Sequence, residues 1–435
     1  MLIHVVQPDE NIESIASYYG VSVTSIIQNN GLINPYSLVP GQTIVIVYPN
    51  QTHTVAEGDT IAGIANQYGV SILQLLRNNP FLSDRSFIYP GETIVISYET
   101  GRRITTNGIA YPYIPLDVLR KTLPFLTYLS IYNYRVTEEG RIVSYYDDSE
   151  LVNLAKTYGT VPLMLVTTTT IQGEPNPQIA LDILTNEEIQ DSYINDLLEI
   201  LRRKEFYGVN LFYNYMNSTN KNLYDTFTAK ISDILSREGY LLLITINPNI
   251  NFEGTSIYRD VVNYSLVSQP VNAITFLNLI WEINDGPPLP VISIPVIEQF
   301  ITDTISDVTN GLINMGIPII GYDWALPYIE GITRANSLTI NTAITIANDE
   351  GVDIQFDESS QTPYFYYNQY PADTPVEHIV RFIDARTING ATDLITKYGL
   401  SGIAVWNIMI FYDQLWLIIN SQFQIEKLIP DSLNT

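Results

Sequence analysis

Within the first hundred or so residues one module of about fifty is written twice, and that duplication limits the possible folds more than any other feature of the chain. His4-Val5-Val6 returns as His53-Thr54-Val55, Ile12 as Ile61, Ala16 as Ala65, Tyr19-Gly20-Val21-Ser22 as Tyr68-Gly69-Val70-Ser71, and Asn29-Asn30 as Asn78-Asn79, at a constant offset of 49 residues. At Pro40-Gly41-Gln42-Thr43-Ile44-Val45-Ile46 against Pro90-Gly91-Glu92-Thr93-Ile94-Val95-Ile96 the offset becomes 50. One loop-sized insertion between matching halves means two copies of a single module. Each copy starts with a short strand, followed by an Asp-Glu-Asn or Gly-Asp-Thr turn able to cap a helix that stops at Tyr-Gly. A second helix runs from Thr24 or Ile72 to the Asn pair, and a Pro-Gly turn then introduces a Thr-Ile-Val-Ile strand. The pattern predicts a βααβ unit over 1–49 and another over 50–98.

These residues resemble the LysM domain: the His-x-Val start, the Tyr-Gly-Val-Ser stop, the Asn-Asn pair and the Pro-Gly-x-Thr-Ile-x-Ile end. The resemblance implies a groove between two loops that binds N-acetylglucosamine-containing glycan, peptidoglycan or chitin. The matching loop residues are Asp9, Glu10, Asn11 and Ile12 with Gly31, Leu32 and Ile33 in the first copy. In the second they are Gly58, Asp59, Thr60 and Ile61 with Pro80, Phe81 and Leu82. The other possibility is that these modules dock only against protein. His4 and His53 open equivalent strands without partner ligands in sequence, so no metal site is expected.

The rest of the chain changes rhythm. From about Gly101, buried-strand segments alternate with amphipathic helices such as Asn186 to Lys204 and Tyr224 to Glu238. The strands read as Ile109–Tyr111, Leu129–Tyr132, Val161–Val166, Val209–Phe212, Leu241–Ile246, Ala273–Leu279, Ile317–Gly321 and Gly402–Trp406. Eight such strands predict a (β/α)8 barrel over 99–435, with a small α+β insertion over about 333–386 before the last strand. At 435 residues the chain has room for both modules and the barrel.

The barrel segments resemble glycoside hydrolase family 18, in particular LysM-bearing spore cortex-lytic N-acetylglucosaminidases. The resembling residues include Tyr134-Arg135-Val136-Thr137-Glu138-Glu139-Gly140, Gly316-Ile317-Pro318-Ile319-Ile320-Gly321-Tyr322-Asp323-Trp324-Ala325-Leu326-Pro327-Tyr328, Asp384-Ala385-Arg386 and Trp406. The resemblance implies hydrolysis assisted by the substrate's own acetamide: a Glu after the fourth strand protonates the leaving oxygen, and an Asp two residues earlier orients the acetamide. Here the strand reads Tyr207-Gly208-Val209-Asn210-Leu211-Phe212-Tyr213-Asn214, so Phe212 stands at the Asp position and Asn214 at the Glu position. An amide has no acidic proton to give, and a phenyl ring cannot hydrogen-bond an acetamide. Leu279 stands where the resemblance implies a Tyr contacting the same acetamide. The reading is a pseudoenzyme with no catalytic residue. The competing reading is a relocated acid, with Glu282, Asp285 and Asp323 as candidates. Tyr322, Asp323, Trp324 and Trp406 are expected at the barrel cleft, the two tryptophans either as sugar-stacking faces or as plain packing.

Composition narrows the partners. With 46 Asp and Glu against 21 Lys and Arg the formal charge is -25, which disfavours nucleic acid. There is no cysteine, and no apolar run long enough for a membrane span or a secretory signal is visible. No cofactor is implied. Only 15% of residues are charged while Tyr occurs 31 times, a composition suited to protein packing or glycan contact. Three functions follow: a non-catalytic, self-associating protein (homo-oligomer or filament) of a spore or cell-envelope layer, a glycan-binding protein, or an active N-acetylglucosaminidase. The first two are compatible. Resemblance places the protein in the spore surface layers, coat or exosporium, or in the extracellular envelope.

Overall fold

The computed structural model describes residues 1–83, 85, 87–169, 176–248, 250–253, 256–259, 262–277, 286–370 and 374–433. The first module is β1 (Leu2–Val5), α1 (Ile12–Tyr19), α2 (Val23–Asn30) and β2 (Thr43–Ile46). The second is β3 (Gln51–Thr54), α3 (Ile61–Tyr68), α4 (Ile72–Asn78) and β4 (Thr93–Ser97). In both, the outer strands pair antiparallel, with His4 opposite Ile44 and His53 opposite Ile94. Asn11 and Thr60 cap the first helices through their side chains, and Gly20 and Gly69 end those helices in the left-handed region that a residue lacking Cβ enters freely.

The repeated asparagine has a mechanical reason. Asn30 donates from Nδ2 to the carbonyls of Ile26 and Val45 and accepts from the Val45 N–H. Asn79 does the same with Leu75 and Val95. One side chain thus ties the end of the second helix to the closing strand in each copy, and no other residue offers two donors and an acceptor on so short a stem.

The remaining elements are, in chain order, β5 (Arg103–Ala110), α5 (Leu116–Thr122), β6 (Tyr128–Val136), β7 (Ile142–Ser144), α6 (Ser149–Thr157), β8 (Val161–Thr167), α7 (Pro177–Thr185), α8 (Glu187–Lys204), β9 (Gly208–Tyr213) and α9 (Lys221–Glu238). Then come β10 (Leu241–Ile246), β11 (Ile250–Glu253), β12 (Ser256–Arg259), α10 (Ser265–Ser268), β13 (Ala273–Phe276), α11 (Ile294–Thr304), β14 (Ile313–Pro318) and β15 (Gly321–Ala325). The chain closes with β16 (Asn336–Leu338), α12 (Ile340–Asp349), β17 (Gln355–Asp357), β18 (Thr362–Gln369), β19 (Val376–Arg381), α13 (Ala385–Tyr398), β20 (Gly402–Trp406), α14 (Asp413–Gln422) and β21 (Gln424–Ile425). Strands β5, β6, β8, β9, β10, β13, β14 and β20 pair in parallel, and β20 returns to β5. This is the expected eight-stranded barrel.

Its interior is layered. At the N-terminal end of the strands, Tyr128, Val161, Leu163, Leu243 and Ala273 form one apolar cluster. Above it lies a polar layer: Thr245 Oγ1 donates to Asn210, Asn210 Nδ2 to Ser130, and Ser130 Oγ to Asn107, while Thr105 Oγ1 donates to Asn314. A second apolar cluster of Ile109, Leu165, Phe212 and Leu277, with Tyr132 and Trp406 packed on it, caps the polar layer at the C-terminal end.

The inserted element is larger than the sequence suggests. Barrel pairing of β14 with β20 ends at Pro318, and the chain turns so that β15 pairs antiparallel with β16 and β19. The five-stranded inserted sheet, in order β16-β15-β19-β18-β17, therefore begins at Gly321 and not at Thr333. The apolar run from Ile317 to Gly321 hides that break, because both sides of it are buried for different reasons.

Both modules are mounted on the same helix. Gln414 Nε2 of α14 donates to Asn30 Oδ1 and to the Thr43 carbonyl, and Asn420 Nδ2, six residues on, donates to Asn78 Oδ1. The first module keeps a core of its own around Ile12, Ile15, Ile26, Ile44 and Ile46. The second does not: Val55, Ile64, Leu75, Ile94 and Ile96 belong to one cluster with the barrel's helices and strands. No described helix is long and apolar enough to cross a membrane.

Candidate functional site

The C-terminal mouth of the barrel is where family 18 chemistry would take place, since loops there converge on the strand ends. Phe212 is 3% exposed, seated among Ile109, Leu165 and Leu277, with its ring 5.9 Å from that of Trp406. An apolar plug therefore fills the barrel at the end of β9. Asn214 follows the end of β9 and is half-buried, and among the described residues its side chain has no hydrogen-bond partner. Leu279, Glu282 and Asp285 lie outside the described residues.

Asp323 is not free to act as an acid in the cleft. Its Oδ1 is 2.9 Å from His378 Nδ1, its Oδ2 accepts from the Tyr367 hydroxyl at 2.8 Å, and the carboxyl is buried within the inserted sheet. Burial and the neighbouring carboxylate push the Tyr367 phenol up, so it stays a donor. Trp324 is fully buried against Ala335 and Ile379, and its Nε1 donates to the Gly286 carbonyl. It offers no stacking face. Tyr322, half-buried, packs against Trp324. Of the four residues expected in the cleft, Trp406 is the one that the structure places at the mouth beside Phe212.

Trp406 has company the sequence did not single out. Rings run in a continuous ladder from Tyr146 to Tyr113 (5.7 Å), Tyr111 (5.5 Å, stacked), Tyr132 (5.2 Å) and Trp406 (5.6 Å), ending at Phe212. Burial pushes the Tyr111 hydroxyl up to about 12 and raises that of Tyr132. The ladder pairs flat apolar faces with neutral hydroxyl donors, which is what a pyranose ring, apolar on its C–H face and polar at its rim, can use. Tyr111 follows the end of the first barrel strand, a position that could have been read alongside Trp406 at the end of the eighth, whereas Tyr132 lies mid-way along β6.

In the LysM loops the acids hold the loops themselves. Glu10 Oε2 accepts from the Gln7 N–H and lies 2.9 Å from His4 Nε2, while His4 Nδ1 meets the Tyr19 hydroxyl. Asp59 repeats this with Ala56, His53 and Tyr68. The histidines are thus structural, and the described residues contain no group of three or more potential metal-binding His, Cys, Asp or Glu. Ile12 and Leu82 are buried core side chains and Ile61 is half-buried; Asp9, Asn11, Ile33, Gly58 and Thr60 are exposed. Gly31, Leu32, Pro80 and Phe81 are half-buried. Gly31 and Leu32 also line a cleft shared with Asn341, Ile344 and Tyr412, so the second loop of the first module faces the inserted element.

The barrel, its inserted sheet and the paired modules define the class: the chain belongs to glycosyl hydrolases family 18, whose model matches residues 164–410, and it carries two LysM domains, matched at 4–47 and 53–97. It is similar along its whole length to the cortical fragment-lytic enzyme of Bacillus subtilis (strain 168), 30% identical over 435 residues, 98% of this chain and 99% of that protein. The cortical fragment-lytic enzyme of Bacillus anthracis is 28% identical over 430 residues, 97% of this chain and 98% of that one. Crystal structures of the spore cortex-lytic enzyme SleL from Bacillus megaterium QM B1551 and from Bacillus cereus match with TM-scores of 0.79 and 0.78. They are 27% and 25% identical to this chain, and each match covers 98% of this chain and 99% of the other.

Proposed function

We propose that this protein holds N-acetylglucosamine-containing glycan of the spore cortex without cleaving it. Phe212 carries the reading: it is locked into the upper apolar cluster of the barrel, where hydrolysis would need a carboxylate. Asn214 cannot supply the proton, and Asp323 has both oxygens engaged elsewhere. The aromatic ladder and the two LysM modules remain as contacts for sugar. Similarity to cortical fragment-lytic enzymes supports the choice of glycan and a spore or envelope location. Self-association into a layer is a compatible addition, motivated by exposed Tyr18, Tyr36 and Tyr370.

The test is to incubate the full-length protein with cortex fragments, measuring sedimented protein and released reducing sugar together. Retention without release is expected, weakened severalfold by Trp406→Ala. Sugar release that survives Asn214→Ala and disappears in Asp323→Asn or Glu282→Gln would overturn the reading in favour of a relocated acid.

A further inference from the structure

Where the second module meets the barrel, helix α4, the residues after β4, the start of β5 and the end of α14 enclose a cavity of about 300 Å³. Its polar wall carries Arg77, Arg103, Tyr98, Asn78, Asn420 and Gln424, and no Asp or Glu lines it. In a chain with a formal charge of -25, a recess holding two arginines and no carboxylate is an inversion of the average.

The donors there are not satisfied by the protein. Arg77 Nε is buried with no hydrogen-bond partner, and so is the Tyr98 hydroxyl. No ion pair joins Arg77 to any described acid, and burial alone pushes its guanidinium down to about 10. A second buried cation adds to the local field: the Lys427 ammonium, saturated by the carbonyls of Leu123, Leu126 and Tyr158 and by Thr160 Oγ1, is pushed down by burial and further by Arg77. The neighbouring amides are partly used: Asn78 Nδ2 donates to the Ile96 carbonyl and its Oδ1 accepts from Asn420. Arg77 is half-buried with its Nε fully covered, while Arg103 stands exposed at the rim; a partly desolvated guanidinium without a counter-charge gains when an anion brings charge and acceptors to its planar fork.

We propose that this junction is a binding site for a small anion bearing a carboxylate or phosphate group, gripped by Arg77 and Arg103 with the Tyr98 hydroxyl as a third donor. The cavity has room for a group well beyond a single water, and each donor matches an oxyanion oxygen. Because the walls come from both the LysM module and the barrel, an occupant would bridge the two. The proposal stands apart from glycan binding at the barrel mouth.

The full-length protein is melted in titrations of inorganic phosphate and of succinate against sodium chloride at matched ionic strength, for the wild type, Arg77→Met, Arg103→Gln, Tyr98→Phe and the distant surface control Arg237→Gln. Saturable stabilisation by one or both anions is expected in the wild type and the control, with the apparent affinity reduced by about tenfold or more in Arg77→Met and by a smaller factor in Tyr98→Phe. In anion-free buffer Arg77→Met should melt at or above the wild type, because an uncompensated, partly buried charge has gone. Whichever of phosphate and succinate binds tighter identifies the group. Stabilisation no greater than with chloride, or equal in wild type and Tyr98→Phe and in whichever arginine variant folds (Arg77→Met or Arg103→Gln), would overturn the proposal and leave a water-filled recess.

Discussion

The backbone carbonyl oxygen of Ile354 lies 1.9 Å from where a Cβ on Gly41 would stand. The Pro40-Gly41 turn of the first module is pressed flat on the inserted element, with the Ile354 N–H donating to the Pro40 carbonyl and Arg386 Nη2 donating to that of Gly41. Gly91, its counterpart in the second module, has a similar positive φ of 90° against 86° but nothing within 4 Å. The pair therefore separates conformational strain from docking. Both Gly→Ala changes should cost about 1–2 kcal/mol for the left-handed backbone, and Gly41→Ala should cost about 1–3 kcal/mol more for the forced contact. Denaturant midpoints of the two variants decide it, and equal losses would mean that the turn does not bear on the insertion.

Acid should loosen the module loops. The Gln7 N–H, followed by His4, holds the Glu10 carboxyl below its ordinary value, and the Ala56 N–H with His53 does the same for Asp59. A carboxyl depressed in the folded state stabilises above its unfolded pKa, and that contribution is lost as pH falls through the lower folded value. The stability of the wild type should therefore decline below about pH 4, more steeply than that of a Glu10→Gln, Asp59→Asn double variant. Melting curves between pH 3 and pH 6, values chosen to span about one unit either side of an ordinary carboxylate, are the check, and parallel profiles would show that the loops do not report these groups.

Rebuilding the chemistry needs several changes at once. Phe212→Asp, Asn214→Glu and Leu279→Tyr together should yield a trace of N-acetylglucosamine release from cortex fragments, whereas each single change should yield none, since such groups act as a unit. General acid catalysis is worth about 10²- to 10⁴-fold, so Asn214→Glu alone, facing Phe212 without an assisting carboxylate, has little to amplify. Turnover by Asn214→Glu alone would show that Phe212 is not the obstacle.

Association should grow with salt. Repulsion from a net charge of -25 is screened beyond about 8 Å at physiological ionic strength, while contacts of exposed rings such as Tyr18, Tyr36 and Tyr370, 81%, 74% and 68% exposed, persist. Light scattering across ionic strength should show mass rising with concentration and salt. A strict monomer throughout would remove the layer-forming role.

The repeat and the barrel could be read from the sequence because each rests on local pattern: matched capping residues in the modules and alternating burial along the strands. What could not be read depends on where strands turn after leaving the barrel. Asp323 follows Tyr322 in a motif that points to the cleft, yet β15 pairs with β19 and carries its carboxyl to His378 and Tyr367, contacts 55 and 44 residues away. Trp324 and Trp406 look alike as isolated aromatics, and only the sheet each belongs to separates a core side chain from a mouth residue. Arg77 is inconspicuous in a helix, because its significance lies in the acids that are not near it.

The shared mounting on α14 turns two modules into one instrument of fixed gauge. Anchors six residues apart on a helix stand about 9 Å from each other along its axis, and neither module hangs on a free linker. If the modules take glycan as proposed, a chain long enough to touch both would meet them at one separation, and the second contact would form without any linker having to be ordered first. Bivalent capture of this kind would reward ligands by their periodicity: a polymer whose repeat matches the gauge would be gripped at both points, and one slightly out of step at one.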